Sequence, residues 1–305
     1  MIRSEDGKRG RWWQARRLEF IDTRLCWSGR INRKELTEFF KISVPQASLD
    51  LSEYQALAPG NVVYDRTEKS YLASSEFRPA LIDGSSARYL AELYALSTGV
   101  IPPDISFLGG IPESDVVRHP TRAVPAGALN SVLHAIRQNA SLSIHYQTMT
   151  RPDPTVRVIT PRALAYDGYR WHVRAFCHLR LDYRDFVFAR ILNLAPAPSP
   201  AAEMPPDAEW DRELSLVIGP NPALDSNRKR VLALDYGMTN DRLVIKTRQA
   251  LAYYLLRRLG LDNANSKPPE EQQIVLLNRE ELLPFLKELR QAGNESAMRT
   301  TPGSN

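Results

Sequence analysis

The stretch NRKELTEFFKISVPQASLDL, residues 32 to 51, contains two helix starts close together. The first is Asn32, a suitable N-cap residue, with Glu35 three positions on to complete a capping box. Ile31 and Leu36 occupy the hydrophobic-staple positions around the same cap. We therefore expect a short helix to begin directly after Asn32.

The second helix start is Ser43, again a residue type that caps helices well. Gln46 stands three positions on to complete a second box, and Pro45 falls in the first turn, where its missing N–H does no harm. The apolar stripe of this helix consists of Ala47, Leu51 and Tyr54. The two starts predict a pair of helices joined by a tight turn.

The flanking sequence extends this pair into a larger motif. Residues 11–27 have the apolar spacing of an amphipathic helix. Residues 62–64 and 70–72 are β-prone runs with a polar turn between them. Three helices followed by a hairpin predict a winged helix-turn-helix domain over residues 1–75.

The rest of the chain divides into further regions. The pattern of residues 76–140 predicts a helical connector that helps to hold a dimer together. The pattern of residues 141–194 predicts the short strands of a small β-barrel. After a linker rich in Pro and Ala, residues 207–292 predict a β-α-β extension, and residues 293–305 a disordered tail. The elements expected in the extension are strands at 214–218, 230–234, 243–247 and 273–277 and helices at 248–259 and 280–291. The fold class is α+β with several domains.

The charge of the 305-residue chain is unevenly distributed. The formal net charge is +5, and residues 1–41 contain 11 Lys and Arg against 6 Asp and Glu. A local basic surplus is typical of a nucleic-acid-binding module. A solvated helix face has the same composition and is the alternative.

Sequence features of secretion, membrane insertion and metal binding are missing. The N-terminus lacks the apolar stretch of a signal peptide, and no run approaches eighteen apolar residues. Cys26 and Cys177 stand far apart without a CxxC pattern, which argues against a disulfide framework or a zinc site. We expect a cytoplasmic protein in a reducing compartment, without cofactor or metal.

Over nearly its whole length the sequence resembles the WYL-domain transcriptional regulators. Residues 168–173, which read Gly-Tyr-Arg-Trp-His-Val, stand where family members typically have Trp-Tyr-Leu, so the signature itself is degenerate. The segments that fit the family strands are residues 144–146, 157–164 and 184–191. Residues 29–33 and 43–48 resemble the branch associated with phage-defence islands, the BrxR/CapW-like repressors.

This resemblance implies a homodimer that represses an anti-phage defence operon from an inverted repeat in double-stranded DNA. It also implies that residues 141–194 form an Sm/SH3-like barrel. A ligand that reaches this domain is expected to relieve repression. Nucleic acid such as single-stranded DNA, or a nucleotide, is the ligand class expected from some relatives.

The third helix of the winged domain is expected to enter the major groove. Gln46 and Ser48 lie near its N-terminal end and off the apolar stripe, and Gln pairs well with adenine. Asp50 is expected either to accept from a cytosine amino group or to hold an arginine in place. The residues predicted to contact DNA are Arg30, Arg33, Lys34, Ser43, Gln46, Ala47, Ser48, Asp50, Arg66 and Lys69. The alternative is a charged surface used for protein contacts.

A second site is predicted in the WYL-like region. Residues 151–190 contain eight arginines, no lysine and four aspartates, and arginine suits bidentate contacts with phosphate and stacking on bases. Strand alternation places Ser143 and His145 on one face, and likewise His172 and Arg174. The predicted anion pocket consists of Ser143, His145, Tyr146, Trp171, His172, Arg174 and Arg190. The alternative has the arginines outside the barrel and the aromatic residues in its core.

Catalytic and metal motifs give little support to other functions. His172, Cys177 and His178 have no fourth ligand at a sensible spacing for a metal. The sequence contains no Gly-rich phosphate loop, no G-x-S-x-G elbow and no HExxH, so we do not expect an enzyme. The alternative to a repressor is a nucleic-acid-sensing module that acts through a partner protein.

Overall fold

The computed structural model describes residues 3–120, 122–198, 204–262 and 267–286. The chain divides into two compact units between His119 and Pro120. Among the described residues no helix combines the length and the apolar character needed to cross a lipid bilayer.

The first unit is a winged helix-turn-helix followed by a connector. Its elements are α1 (Arg3–Ser28), β1 (Arg30–Ile31), α2 (Arg33–Phe40), α3 (Val44–Leu57), β2 (Val62–Asp65), β3 (Ser70–Ala73) and α4 (Ser86–Ser97). The strands form an antiparallel sheet in the order β1-β3-β2. The predicted winged helix is thus confirmed. The sheet has a third strand, β1, that the sequence did not predict, in which Arg30 and Ile31 pair with Leu72 and Tyr71.

Both predicted caps are present, but only one capping box is complete. The Asn32 side chain accepts from the Glu35 N–H at 3.0 Å, and the Glu35 carboxylate accepts from the Asn32 N–H at 3.1 Å. Ser43 Oγ accepts from the Gln46 N–H at 3.3 Å, whereas the Gln46 side chain turns to Asp50 instead of Ser43. The predicted second box is therefore wrong, because a carboxylate on the next turn attracts the Gln46 amide.

The connector packs into the core of the winged helix. Phe107 lies among Phe20, Phe39 and Phe40, with ring centroids 5.4, 5.4 and 6.0 Å away. The guanidinium of Arg16 covers the same ring at 4.2 Å. These contacts bring together four aromatic residues from three segments, so the winged helix and residues 105–109 share one core.

The second unit contains a five-stranded and a three-stranded antiparallel sheet. Its helices are α5 (Ala126–Gln138), α6 (Ala208–Asp211), α7 (Ser226–Asp235), α8 (Gln249–Arg258) and α9 (Arg279–Leu282). Its strands are β4 (Leu142–Tyr146), β5 (Thr155–Tyr166), β6 (Trp171–Cys177), β7 (Asp182–Val187), β8 (Ile191–Pro196), β9 (Glu213–Pro220), β10 (Leu243–Arg248) and β11 (Ile274–Leu276). The strand orders are β7-β6-β5-β4-β8 and β10-β9-β11.

The five-stranded sheet is open and not a closed barrel, which corrects the sequence-based expectation. Its edge strands β7 and β8 are not paired with each other in the described part of the chain. A 3-10 turn at Phe188–Arg190 carries the chain from one edge to the other. β5 bends at a bulge between Pro161 and Ala163, where proline lacks an N–H for the ladder. The buried face of the sheet packs on Val132 and Ala135 of α5.

The C-terminal region differs from its prediction at one strand. Residues 230–234, predicted as a strand, lie inside α7, because the Asp225 carboxylate caps that helix by accepting from the N–H groups of Asn227 and Arg228. The strands near 214–218, 243–247 and 273–277 and the helix at 248–259 are present as β9, β10, β11 and α8. The predicted helix at 280–291 is present only at its start, as α9, and it ends at Leu282 because Pro284 follows. Residues 283–286 are not helical, which corrects the prediction, and its part beyond residue 286, like the predicted disordered tail, lies outside the described residues.

Candidate nucleic-acid interface and ligand groove

The inner face of α3 holds the helix against the winged domain. Ala47, Asp50, Leu51 and Tyr54 are buried on this face. Ala47 and Asp50 were predicted to contact DNA, and their burial removes both from the set of side chains that can reach a base. Ala47 instead belongs to the apolar core that positions the helix.

Asp50 holds an arginine, which was one of the two roles considered for it. Its carboxylate accepts from Arg17 Nε at 2.6 Å and from Arg17 Nη2 at 3.1 Å, a bidentate pair between α1 and α3. It also accepts from Gln46 Nε2 at 3.0 Å. Gln46 is consequently half-buried and drawn toward the body of the domain, although it lies in the first turn of α3.

Arg33 links α2, α3 and the wing. Its Nε donates to Ser48 Oγ at 2.9 Å, and its Nη2 donates to the Tyr71 hydroxyl at 3.3 Å. The guanidinium also lies 5.6 Å from the Tyr64 ring and 5.7 Å from the Tyr71 ring. A cation fixed in this way orients the wing relative to α3, and its remaining N–H groups can still donate to phosphate.

The other predicted phosphate contacts stand out from the surface. Arg30 is 3.9 Å from Glu68, and Lys34 is 3.6 Å from Glu38. Arg66 and Lys69 are exposed on the wing, where Lys69 has a positive φ of 49°. Loose surface pairs of this kind exchange readily for phosphate, because each contributes only about 0–1 kcal/mol.

A buried carboxylate, Asp22, joins α1 to α3 and to the start of the connector. One of its oxygens accepts from three successive backbone N–H groups, those of Ala80, Leu81 and Ile82, at 2.7–3.0 Å. The other accepts from the Tyr54 hydroxyl. Burial and this hydrogen bond raise the pKa of Tyr54. No pattern in the sequence indicates this centre, because its donors are mostly backbone groups about 60 residues away.

The anion pocket predicted in the WYL region does not assemble. Ser143 pairs with Val158, whereas Arg174 pairs with Ala163, five residues farther along β5. At about 3.3 Å per residue the two sites are about 16 Å apart along that strand, with β5 lying between them. Of the other predicted residues, His145 is exposed, Trp171 is 49% exposed beside Tyr166, and Arg190 is half-buried.

Arg174 is buried and held by three carboxylates. Its Nε and Nη2 donate to the two oxygens of Asp207, each at 2.7 Å, and it also contacts Glu209 at 3.1 Å and Asp185 at 3.4 Å. Burial opposes the charge on Arg174, but Asp207 and Asp185 raise the pKa of its guanidinium. Asp185 in turn accepts from the Tyr254 hydroxyl at 3.0 Å. Arg174 thus links the five-stranded sheet β4–β8, here called the WYL sheet, to the C-terminal region.

His172 lies beside this cluster and is also buried. Its Nε2 is 2.8 Å from the Asp167 carboxylate, and its ring is 5.1 Å from that of Tyr254. Burial alone would raise the pKa of Asp167, but His172 and the N–H groups of Tyr169 and Arg170 lower it to about 2. Asp167 therefore stays ionised and orients His172 under the helix α8.

A groove of about 650 Å³ lies between the WYL sheet and α8. Tyr146 and Arg174 are the predicted pocket residues that line it. The cationic and aromatic lining residues that sequence reasoning did not assign to a site are Arg157, Arg180, Arg184, Tyr183, Tyr253 and Tyr254. The lining also includes the carboxylates of Asp182, Asp185 and Glu209. The surplus of arginines in residues 151–190 was the available signal, but strand alternation could not say which of them face a common space. Cationic and aromatic side chains together suit phosphate contact and base stacking.

Three family models match the chain. They are a BrxR transcriptional regulator winged helix-turn-helix domain at residues 14–95, a WYL domain at residues 127–196 and a BrxR transcriptional regulator C-terminal dimerization domain at residues 213–282. The finer domain boundaries expected from the sequence stay a prediction.

Several curated proteins are similar over most of the chain. The DNA-binding transcriptional repressor CapW of Stenotrophomonas maltophilia is 42% identical over 292 residues, which cover 95% of this chain and 97% of that protein. Proteins of the same name from Escherichia coli and Pseudomonas aeruginosa are 40% and 38% identical, over 93% and 90% of this chain and 96% and 93% of their own lengths. Among solved structures, proteasome accessory factor B/C (PafBC) of Arthrobacter aurescens is 15% identical with a TM-score of 0.24. The match covers 88% of this chain and 46% of that one. With this identity and coverage, the chain belongs to the family of CapW transcriptional repressors, which are winged-helix, WYL-domain regulators and not enzymes.

Proposed function

We propose that this protein is a DNA-binding repressor that binds an inverted repeat as a homodimer and controls an anti-phage defence operon in the cytoplasm. The main support for this proposal is the way in which α3 is held against the rest of the winged domain. Arg17 holds Asp50 and Asp22 holds Tyr54 on its inner face, while its outer face is exposed. A short helix held rigidly on one side and open on the other suits insertion into the major groove.

The cations around α3 support a contact with duplex DNA. Arg33 is fixed between α3 and the wing, and Arg30, Lys34, Arg66 and Lys69 are exposed around it. Such side chains position a protein on the phosphate backbone without reading sequence. Because the C-terminal region matches a dimerization domain, two copies would present two α3 helices to half-sites about one helical turn apart, or a multiple of it.

We propose further that a ligand in the groove between the WYL sheet and α8 relieves repression. Arg180 has no acidic partner among the described residues, and Tyr183 and Tyr253 line the same space. A nucleotide or a short single-stranded DNA carries both the phosphate and the base face that these groups recognise. Because residues of the dimerization domain form one wall, occupancy of the groove can change how the domain packs on the WYL sheet.

The first experiment is a mobility-shift titration on the intergenic DNA upstream of the gene. A scrambled duplex of equal length serves as competitor at about 150 mM salt, where non-specific binding is suppressed. We expect a discrete complex that survives the competitor and protects two half-sites. If both duplexes compete equally, the repressor proposal fails, and a sensor module acting through a partner protein becomes the better account.

The same complex tests the ligand. Addition of oligothymidylate is expected to release the operator from the wild-type protein, and Arg180→Ala should need several-fold more of it. Arg228→Ala, which removes an exposed arginine away from the groove, is the matched control and should respond like the wild type. Equal responses of all three proteins would contradict the assignment of the groove.

A further inference from the structure

The outer face of α3 has a chemical character that was not expected of a DNA-reading helix. Helical spacing places Pro45, Leu49, Ser52 and Ala56 on one stripe opposite the buried Ala47, and all four are exposed. Leu49 lies at the centre of this stripe and is 59% exposed. α3 contains no Lys or Arg. Its base-facing surface is small and largely apolar.

The polar residues of the N-terminal half of α3 are already engaged within the domain. Gln46 Nε2 donates to Asp50, and Ser48 Oγ donates to the Val44 carbonyl while it accepts from Arg33. Leu49 has no such inward contact to draw it from the surface. The sequence favoured Gln46 as the reading residue, but the structure leaves Leu49, 59% exposed, on the face opposite the buried Ala47.

An isolated exposed leucine on a protein surface needs no explanation. The position of Leu49 gives it weight, because residues in the N-terminal half of a recognition helix are the ones that contact base edges. In the major groove an apolar side chain recognises the C5-methyl group of thymine, which no other standard base carries.

From these observations we infer that Leu49 is a specificity-determining residue that contacts a thymine methyl group in each half-site. This inference rests on the proposed function, since it requires α3 in the major groove of a specific operator. It predicts that part of the sequence preference resides in a methyl group and not in a hydrogen bond. Removal of that methyl from DNA and removal of the leucine from the protein should then be equivalent.

The test uses the full-length protein and the footprinted operator, in which each thymine is replaced in turn by deoxyuridine. Deoxyuridine keeps the base pair and lacks only the methyl group. We expect one position per half-site at which this change lowers the affinity of the wild type about fourfold, and about fifteenfold when both half-sites are changed, as for the loss of one buried methyl group per site.

Leu49→Ala supplies the second arm of the experiment. It should bind the thymine operator as weakly as the wild type binds the deoxyuridine operator, and it should no longer distinguish the two. Leu57→Ala is the matched control, because Leu57 is an exposed leucine at the far end of the same helix. Alanine has high helix propensity, so neither change should unfold α3, which circular dichroism can verify.

The possible outcomes separate this inference from the function on which it rests. Specific binding that no deoxyuridine substitution weakens overturns the role of Leu49 and leaves the repressor intact. The same holds if Leu49→Ala retains sensitivity to the methyl group, since another residue must then read it. Absence of any sequence-specific complex overturns the proposed function and the inference together.

Discussion

Each of the two units contains a buried charged side chain that joins separate segments of the chain, and these two charges are satisfied in opposite ways. Asp22 in the first unit is 0% exposed and accepts only from neutral donors, three backbone N–H groups and the Tyr54 hydroxyl. Arg174 in the second unit is 3% exposed and is surrounded by three carboxylates. The first centre is a network of hydrogen bonds, and the second is an ion cluster.

This difference matters for what each centre can do. The donors around Asp22 do not titrate near neutral pH, because backbone N–H groups do not ionise and the pKa of the Tyr54 hydroxyl is raised. Around Arg174 one cation faces three acids, and burial raises the pKa of Asp185 despite Arg174 and Tyr254. A cluster with excess negative charge responds to protons and to competing anions, which suits the link between a ligand groove and a dimerization domain.

The largest effect is expected from Asp22→Ala. Four donors would lose their acceptor, of which the Tyr54 hydroxyl is buried and the N–H groups of residues 80–82 are partly buried. At about 1 kcal/mol each, the low end of the cost of an unsatisfied group, the first unit should lose about 4 kcal/mol of stability. Hydrogen exchange of the amides of residues 80–82 measures this loss directly, because they donate to Asp22. Tyr54→Phe, which removes a single donor, should cost about 1 kcal/mol. Equal protection of these amides in Asp22→Ala would contradict the structural role of the carboxylate.

Arg174→Met is expected to cause the next largest loss of stability. It leaves buried carboxylates without their cation and should lower the stability of the second unit by about 3–5 kcal/mol in urea unfolding. Asp207→Asn in the same chain should recover part of this loss, because fewer charges are then left unpaired. The control is Arg162→Met, which breaks the more exposed pair with Asp211 and should cost about 0–1 kcal/mol. If the loss in the double variant equalled the sum of the losses in Arg174→Met and in Asp207→Asn alone, the two residues would not be coupled.

Asp167→Asn should lower the free energy of unfolding least of the three variants, and its effect should depend on pH. The pKa of Asp167 is lowered from 3.8 to about 2, so its carboxylate contributes about 2 kcal/mol above pH 4. Because the pKa in the folded state is the lower one, this contribution disappears as pH falls from about 4 to about 2. Urea unfolding of the variant and the wild type across this range should converge at the acidic end. A constant difference would rule out ionisation of Asp167 as its cause.

Local signals in the sequence predicted most of the helices and several strands. Asn32 and Ser43 mark the starts of α2 and α3, because an N-cap satisfies donors only three residues away. Residues 230–234 were predicted as a strand because their own pattern is ambiguous, and the Asp225 cap decides for helix. The prediction of a closed barrel was wrong. Whether the edge strands β7 and β8 pair depends on the path of the chain through Phe188–Arg190, which local patterns do not specify.

The candidate sites were predicted less well than the fold. Asp50 and Arg174 were assigned to DNA and to a ligand on the strength of residue type, and both are paired inside the protein. Sequence position alone does not reveal that Arg17 or Asp207 lies within hydrogen-bond distance. Leu49 was not selected, because an apolar residue attracts attention as a base reader only after its neighbours are seen to be engaged.

By itself the sequence determined the winged helix, the order of the regions and the family, because caps, apolar periodicity and motif order depend on residues close together along the chain. Only the tertiary structure decided which charges are free to meet a partner. Charges act through space over a few ångströms, and the partners of Asp22 and Arg174 are 11–60 residues away in the sequence. Recognition is assigned instead to two exposed side chains, Leu49 on α3 and Arg180 in the groove, which has no acidic partner among the described residues.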